Sequence, residues 1–202
     1  MVYDASDVAH PYKMYFSARS NQTGVTHIGL ATSQDGFAWE RYLDPDPPND
    51  TLQVVPAGSF GELDSVYAAA PYVWIEGADY HMAYLCSDAV EAGICLATSV
   101  DGGFEWQKWD PEPGVGYEPE PLFLDGDAGD WDGAMVGFPT LVETATERTL
   151  LYAGSDGTGW QVGAAHVPFD FTDGVTKLAD LGPVLGPSSQ ADRWDSLQVY
   201  PG

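Results

Sequence analysis

Short apolar runs, broken by polar and glycine-containing turns, recur along the whole chain, and none carries the periodic stripe of an amphipathic helix. The run Met14-Tyr-Phe-Ser-Ala-Arg-Ser20 returns as Met82-Ala-Tyr-Leu-Cys-Ser-Asp88 and then as Leu150-Leu-Tyr-Ala-Gly-Ser-Asp156, 68 residues apart each time. Ile28-Gly-Leu-Ala-Thr-Ser33 returns as Ile94-Cys-Leu-Ala-Thr-Ser99 and Val162-Gly-Ala-Ala-His-Val167, at offsets of 66 and 68. A third element precedes each such pair: Asp64-Ser-Val-Tyr-Ala-Ala-Ala-Pro71, then Asp132-Gly-Ala-Met-Val-Gly-Phe-Pro139, with Asp195-Ser-Leu-Gln-Val-Tyr-Pro201 beginning another copy. A period this long marks a propeller or a solenoid.

The elements inside each period are short and rich in Tyr, Val, Ile, Leu and Thr, which predicts strands. Their loose alternation predicts burial on both faces, between neighbouring units. The middle copy divides into four strands, over 66–74, 80–86, 93–99 and 105–109. Asp35-Gly36 and Asp101-Gly102 predict a turn before the outer strand, with glycine taking a positive φ and aspartate bonding the turn backbone. Trp39 and Trp106 fall in that last strand, where an indole fills the widening gap between units. Residues 110–130 read as a long Pro/Gly/acidic loop. The fold class is therefore all-β: a β-propeller built of four-stranded blades, with three repeats of about 66–68 residues. The chain reads as a single module over 1–202, with units at about 1–58, 59–126 and 127–190 and the start of a further inner strand in 191–202.

Charge narrows the partners. Asp and Glu number 31 against 7 Lys and Arg, a net charge of −24. Such a surface repels nucleic acid and anionic membrane, so neither is expected as a partner. An acidic, lysine-poor surface suits a salt-rich, halophilic setting, where self-repulsion is screened; an ordinary acidic secreted protein has the same composition. No apolar run reaches membrane-spanning length and no signal peptide is visible at the start, which leaves localisation open between cytoplasm and secretion after processing. Cys86 and Cys95 sit in neighbouring strands of one predicted hairpin and form either a cross-strand disulfide or two buried thiols. The four histidines lack metal-ligand spacing, and no phosphate loop or dinucleotide fingerprint is present.

The frame Leu63-Asp64 or Trp131-Asp132 followed by Pro71 or Pro139, then Tyr80-x-Met82-x-Tyr84, then Ile28-Gly-Leu-Ala-Thr-Ser33-x-Asp35-Gly36-x-x-Trp39, resembles the blades of five-bladed glycoside hydrolases. These are the arabinanase and xylosidase group of glycoside hydrolase family 43 and its relatives in families 32, 62, 68 and 130. The resemblance implies a carbohydrate partner and hydrolysis of a glycosidic bond in an oligo- or polysaccharide. It also implies carboxylates around the channel, an aspartate activating water and a glutamate protonating the leaving oxygen. Three units stand where the family has five, so the chain is expected to be part of a longer chain or a subunit of a homo-oligomer that completes the ring. The family's Glu-Gly-Pro run aligns with Ala69-Ala70-Pro71 and Gly137-Phe138-Pro139, which lack the glutamate. That absence supports the alternative of a non-catalytic carbohydrate-binding or structural module.

Within this frame Asp64 and Asp132 are the candidate bases, with Asp195 at the same position of the next copy. Their recurrence in all three copies favours a structural acceptor that every blade needs for its turn, since a catalytic site is normally asymmetric. The candidate acids are Glu62 and, on the long loop, Glu118 and Glu120. Trp131 and Trp194 precede the inner aspartates and are candidates to stack on a pyranose or to pack between blades. Arg193, Tyr67, Gln198 and Met135 break the repeat; the first three join the candidate substrate-binding set, with Asp195. No cofactor is required by this chemistry; Asp125, Asp127 and Asp130 are candidate ligands for Ca2+, which takes hard oxygen donors.

Overall fold

The computed structural model describes residues 1–43, 53–111, 118–169, 175–178, 182–189, 198, 199 and 201. It is all-β over those residues, with two sheets of ten and four strands. The first unit holds β1 (Val2–Tyr3), β2 (Tyr12–Arg19), β3 (Thr26–Ser33), β4 (Glu40–Arg41) and β5 (Gln53–Val55). The second holds β6 (Tyr67–Glu76), β7 (Asp79–Ser87), β8 (Ala92–Ser99), β9 (Gln107–Lys108) and β10 (Pro121–Leu124). The third holds β11 (Met135–Glu143), β12 (Arg148–Ser155), β13 (Trp160–His166) and β14 (Thr176–Lys177). Each unit is an antiparallel meander, and the first two are joined by one parallel pair, Thr26 with Tyr67.

The registers repeat as the sequence does. Phe16 faces Gly29, Tyr84 faces Cys95, and Tyr152 faces Gly163. The outer strand differs from expectation. In the second unit it is split, β9 pairing with Ala97 and Thr98, and β10 with Cys95, Ile94 and Gly93. β10 lies inside the stretch expected to be loop, because Pro121-Leu-Phe-Leu124 is a four-residue apolar run hidden among prolines and acids. The first unit is split in the same way, with β4 and β5 both on β3.

The core lies between units, as expected for strands buried on both faces. Met82, Tyr84 and Cys86 of β7 join Tyr15, Ile28, Leu30 and Val55 of the first unit. The alternate residue Ala83, with Ile94 and Leu96, packs on Val136, Leu150 and Tyr152 of the third. Trp106 stands edge-on to Tyr15 at 5.4 Å across the first gap, and the Tyr15 hydroxyl donates to the Gly103 carbonyl at 2.9 Å. The Asp-Gly turns form as read. Gly36 and Gly102 take φ of 78° and 87°, while Asp35 accepts from the Phe37 and Ala38 N–H groups and Asp101 from Phe104 and Glu105. Cys86 and Cys95 are joined in a disulfide across β7 and β8, deciding between the two readings. Among the described residues no helix is long and apolar enough to cross a membrane.

Candidate functional site

β6 and β11, the inner strands of the second and third units, are each preceded by a tight turn that carries an aspartate. Ser65 and Gly133 donate their N–H groups back to the Glu62 and Asp130 carbonyls, and Gly58 and Gly126 donate to the carbonyls of Asp64 and Asp132. The turns direct both aspartate side chains inward, where they are 0% and 1% exposed. A Cβ at Gly58 or Gly126 would lie 2.4 Å from the nearer carboxylate oxygen, so the missing side chains make room for the acids.

Both aspartates meet the same two partners. Asp64 Oδ2 accepts from the Tyr84 hydroxyl at 3.2 Å and lies 2.7 Å from Lys108 Nζ. Asp132 Oδ2 accepts from the Tyr152 hydroxyl at 3.0 Å and lies 2.7 Å from Lys177 Nζ. Burial pushes the Asp64 carboxyl up, opposed by the Lys108 ammonium and the Tyr84 hydrogen bond. Burial pushes both phenols far above their ordinary range, and the aspartates add to the effect, so Tyr84 and Tyr152 act as O–H donors. Asp64 Oδ1 is buried without a hydrogen-bond partner among the described residues.

Lys108 and Lys177 were not among the residues the sequence singled out. They occupy one register, opposite Ala97 and Ala165, with Arg41 opposite Ala31 in the first unit. Only 7 cationic side chains exist in the chain, so three at a single repeat position was the available signal.

The Glu62 carboxylate lies in the cradle beside Gly58 and Asp64, and its charge acts on Asp64. Glu118 is exposed, and its carbonyl accepts the Leu63 N–H at 2.9 Å, which ties it to the turn before β6. Glu120 is half-buried ahead of β10. Tyr67 and Met135 open their inner strands at equivalent positions and flank a small cluster of Ala69, Leu85 and Ala92. Gln198 is exposed. Arg193, Trp194 and Asp195 lie outside the described residues. Trp131 stacks on Tyr152 with ring centroids 5.7 Å apart and lies against Gly154 and Gly163, its buried Nε1 without a partner among the described residues. Asp130 Oδ2 accepts the Asp127 N–H at 3.1 Å, closing the turn, and Asp125 lies at the end of β10. No group of three or more His, Cys, Asp or Glu side chains gathers for a metal ion among the described residues.

The inner strands bulge where the family's acid was sought. Register shifts lie between Ala69 and Tyr72 and between Gly137 and Thr140, and Ala70 and Phe138 take φ of 49° and 51°. The left-handed residue in each bulge immediately precedes a proline, at the position where glycine stands in the Glu-Gly-Pro run.

No protein-family model matches the chain. Over 132 residues it is 29% identical to the uncharacterized protein Rv1502 of Mycobacterium tuberculosis and 28% identical to MT1551 of a second strain. The chain spans about a third of the length of these curated relatives, 36% of each, with 65% of its own residues matched. Its fold is similar to a structure from the GH130 family of mannoside phosphorylases, which contains hydrolases targeting β-1,2 mannosidic linkages in Candida mannan. The TM-score is 0.63 at 16% identity, over 98% of this chain and 55% of that one. A thermostable family-43 glycoside hydrolase gives 0.55 at 16% identity over 87% and 52% of the two chains. A mutant of the Bombyx mori GH32 β-fructofuranosidase, in complex with sucrose, gives 0.55 at 17% over 79% and 32%. At these identities the likeness is one of fold: two sheets resembling the propeller-like architecture of carbohydrate-active glycoside hydrolases.

Proposed function

We propose that this chain contributes a carbohydrate-recognising surface and that its described residues bind sugar without supplying an acid–base pair for hydrolysis. The observation that carries this reading is the burial of Asp64 and Asp132, each closed off and ion-paired to a lysine. A general base must reach water at the substrate, and a carboxylate held at 2.7 Å by an ammonium beneath a turn is poorly placed to do so. Ala69 and Gly137 offer no acid at the bulges. The two aspartates are better suited to holding each inner strand against the outer strand of its unit.

A second reading keeps hydrolysis, with Glu62 and Glu118 as the working carboxylates, because the Glu118–Leu63 backbone hydrogen bond brings Glu118 to the turn that carries Glu62. Affinity electrophoresis in gels containing Candida mannan, arabinan or inulin, with a reducing-end assay on the same polysaccharides, separates the two. Retardation without new reducing ends is the expected result. Reducing ends that vanish in Glu62→Gln would establish the hydrolytic reading instead. Migration unchanged in every gel would remove carbohydrate binding.

A further inference from the structure

Neighbouring units meet at two joints built from equivalent residues, and each half of that joint recurs uncovered on one outer face of the chain. Where the first and second units meet, Ile28, Leu30 and Val55 pack with Met82, Tyr84 and Cys86. Where the second and third meet, Ile94, Leu96 and Phe123 pack with Leu150 and Tyr152. Leu185 is bridged to Val162 as Val55 is to Ile28 and Phe123 to Ile94. Val55 is 1% and Phe123 9% exposed beneath the following unit, whereas Leu185 is 57% exposed.

The first unit shows the other half. Met14 and Phe16 hold the places of Met82 and Tyr84. The latter two are fully buried against the preceding unit, but Met14 and Phe16 line an open cavity of about 260 Å3 with Ala31, Trp39 and Arg41. Trp39 stands where Trp106 does, and Trp106 packs on Tyr15 of the preceding unit. Arg41 stands where Lys108 and Lys177 do, yet it is exposed and has no carboxylate partner among the described residues. The strands match in the same way. β2 pairs with β1 through Tyr12 and Lys13, leaving Ser17, Ala18 and Arg19 exposed where Leu85, Cys86 and Ser87 of β7 are buried and paired with β6. The Val199 N–H donates to the Trp160 carbonyl at 2.9 Å, beside the third unit, as the start of β6 lies beside Thr26 of β3. One face thus offers the start of an inner strand, and the other offers the edge with which such a strand pairs.

We propose that the third unit of one chain packs on the first unit of a second chain, repeating between chains the joint that links units within one. Leu185 of the one then meets Met14 and Phe16 of the other. Gln198 and Val199 add to the β2 edge opposite Arg19 and Ala18, in the register that Tyr67 and Ala68 keep with Ser87 and Cys86. The contact is head-to-tail, because the two surfaces differ. Two chains of net charge −24 repel each other, and salt screens that repulsion, so the apolar joint is strongest at high salt. The proposal stands apart from the carbohydrate reading and does not need it.

Light scattering behind a sizing column, in dilute and in molar salt, gives the mass of the native chain and of Leu185→Asp. A whole multiple of 21.7 kDa above one is expected for the native chain. Leu185→Asp is expected to raise the dissociation constant about tenfold or more, with a native far-ultraviolet circular dichroism spectrum because the side chain is exposed in the single chain. The register is read by mixing Ala18→Cys with Val199→Cys under mild oxidation, the native cysteines being already paired with each other. A disulfide between the two chains is expected in the mixture and in neither variant alone. A single-chain mass in both salts overturns the proposal. Association unchanged by Leu185→Asp, or a mixture that gives no cross-link, assigns the contact to another surface and overturns it as well. A bond formed within one chain carrying both cysteines, at single-chain mass, shows the chain closing on itself and also overturns it.

Discussion

The second and third units place the same polar triad in two different packings. Asp64, Tyr84 and Lys108 match Asp132, Tyr152 and Lys177 in register and nearly in distance. What lies beside the triad is not shared. In the second unit Leu63 packs in one cluster with the Cys86–Cys95 disulfide. In the third unit Trp131 replaces Leu63, while Gly154 and Gly163 replace the cysteines. A Cβ on either glycine would meet the Trp131 ring at 2.5 Å, so the indole occupies the volume that two sulfurs fill in the neighbouring unit. Buried polar groups permit few partners and few distances, whereas apolar volume can be redistributed among neighbours if the total is kept. The repeat therefore keeps the triad and varies its surroundings.

Breaking the shared element gives the largest effect. Lys108→Met leaves a buried carboxylate without its cation and is expected to cost about 3–5 kcal/mol in denaturant unfolding. Lys177→Met is expected to cost at least as much, because Lys177 also donates to the Leu124 carbonyl at 3.1 Å and lies over the Phe123 ring. Adding Asp64→Asn to Lys108→Met is expected to recover more than half of the loss. If the single lysine variants unfold like the native chain, the triads do not hold the inner strands to the outer strands.

The variable element is tested next. Gly163→Ala pushes a methyl into the Trp131 ring and is expected to destabilise by about 1–3 kcal/mol. With Trp131→Leu in place, which restores the residue type of the second unit, the same alanine is expected to cost less than half as much. Additive costs would break the idea of exchanged volume, since coupled neighbours should not add. The counterpart in the second unit is reduction of the disulfide, which spans nine residues of one hairpin. Its loss is expected to lower stability by about 2–3 kcal/mol, the chain-entropy value for so short a loop in the unfolded chain. Melts with and without reductant, compared with Cys86→Ala/Cys95→Ala, measure it.

Much of this fold was legible because the repeat is written in strand-forming residues. The strand read over 80–86 forms as Asp79–Ser87, and the one over 93–99 as Ala92–Ser99. The outer edge was less legible. Two-residue pairings such as β9 are held by the neighbouring strand and leave little pattern of their own, and β10 was masked by its prolines. At the site, the recurring aspartates could be read as acids or as anchors, because neither their burial nor their lysine partners are written in the local pattern. Those lysines carry little local signal, because a cation on a two-residue strand reads as a solvated side chain. The place of Trp131 was equally hidden, since Gly154 and Gly163 lie far along the chain and only strand register brings them under the indole.

The smallest expected effect separates the two units by charge. Asp125 ends the outer strand leading into the third unit, where the second unit has Ala57. Burial raises the Asp125 carboxyl to about 6, Glu91 adds to the rise, and the Lys177 ammonium opposes it. A folded value above the unfolded 3.8 means the folded state binds the proton more tightly. That contribution is complete below about pH 4 and is lost as pH rises through about 6. Asp4 runs the other way. Hydrogen bonds from Ser6 and Tyr80 hold it at about 2, so its contribution is present above the unfolded value and lost as pH falls towards 2. Stability of the native chain is expected to rise by about 1 kcal/mol on going from pH 7 to pH 4.5, a figure reduced for solvent screening of a half-buried group, then fall on further acidification. Asp125→Asn should remove most of the upper slope and leave the acid limb unchanged, measured as denaturant midpoints across that range. A slope that survives Asp125→Asn would assign it to relief of the chain's overall negative charge, a property all the units share, and the units would then differ in packing alone.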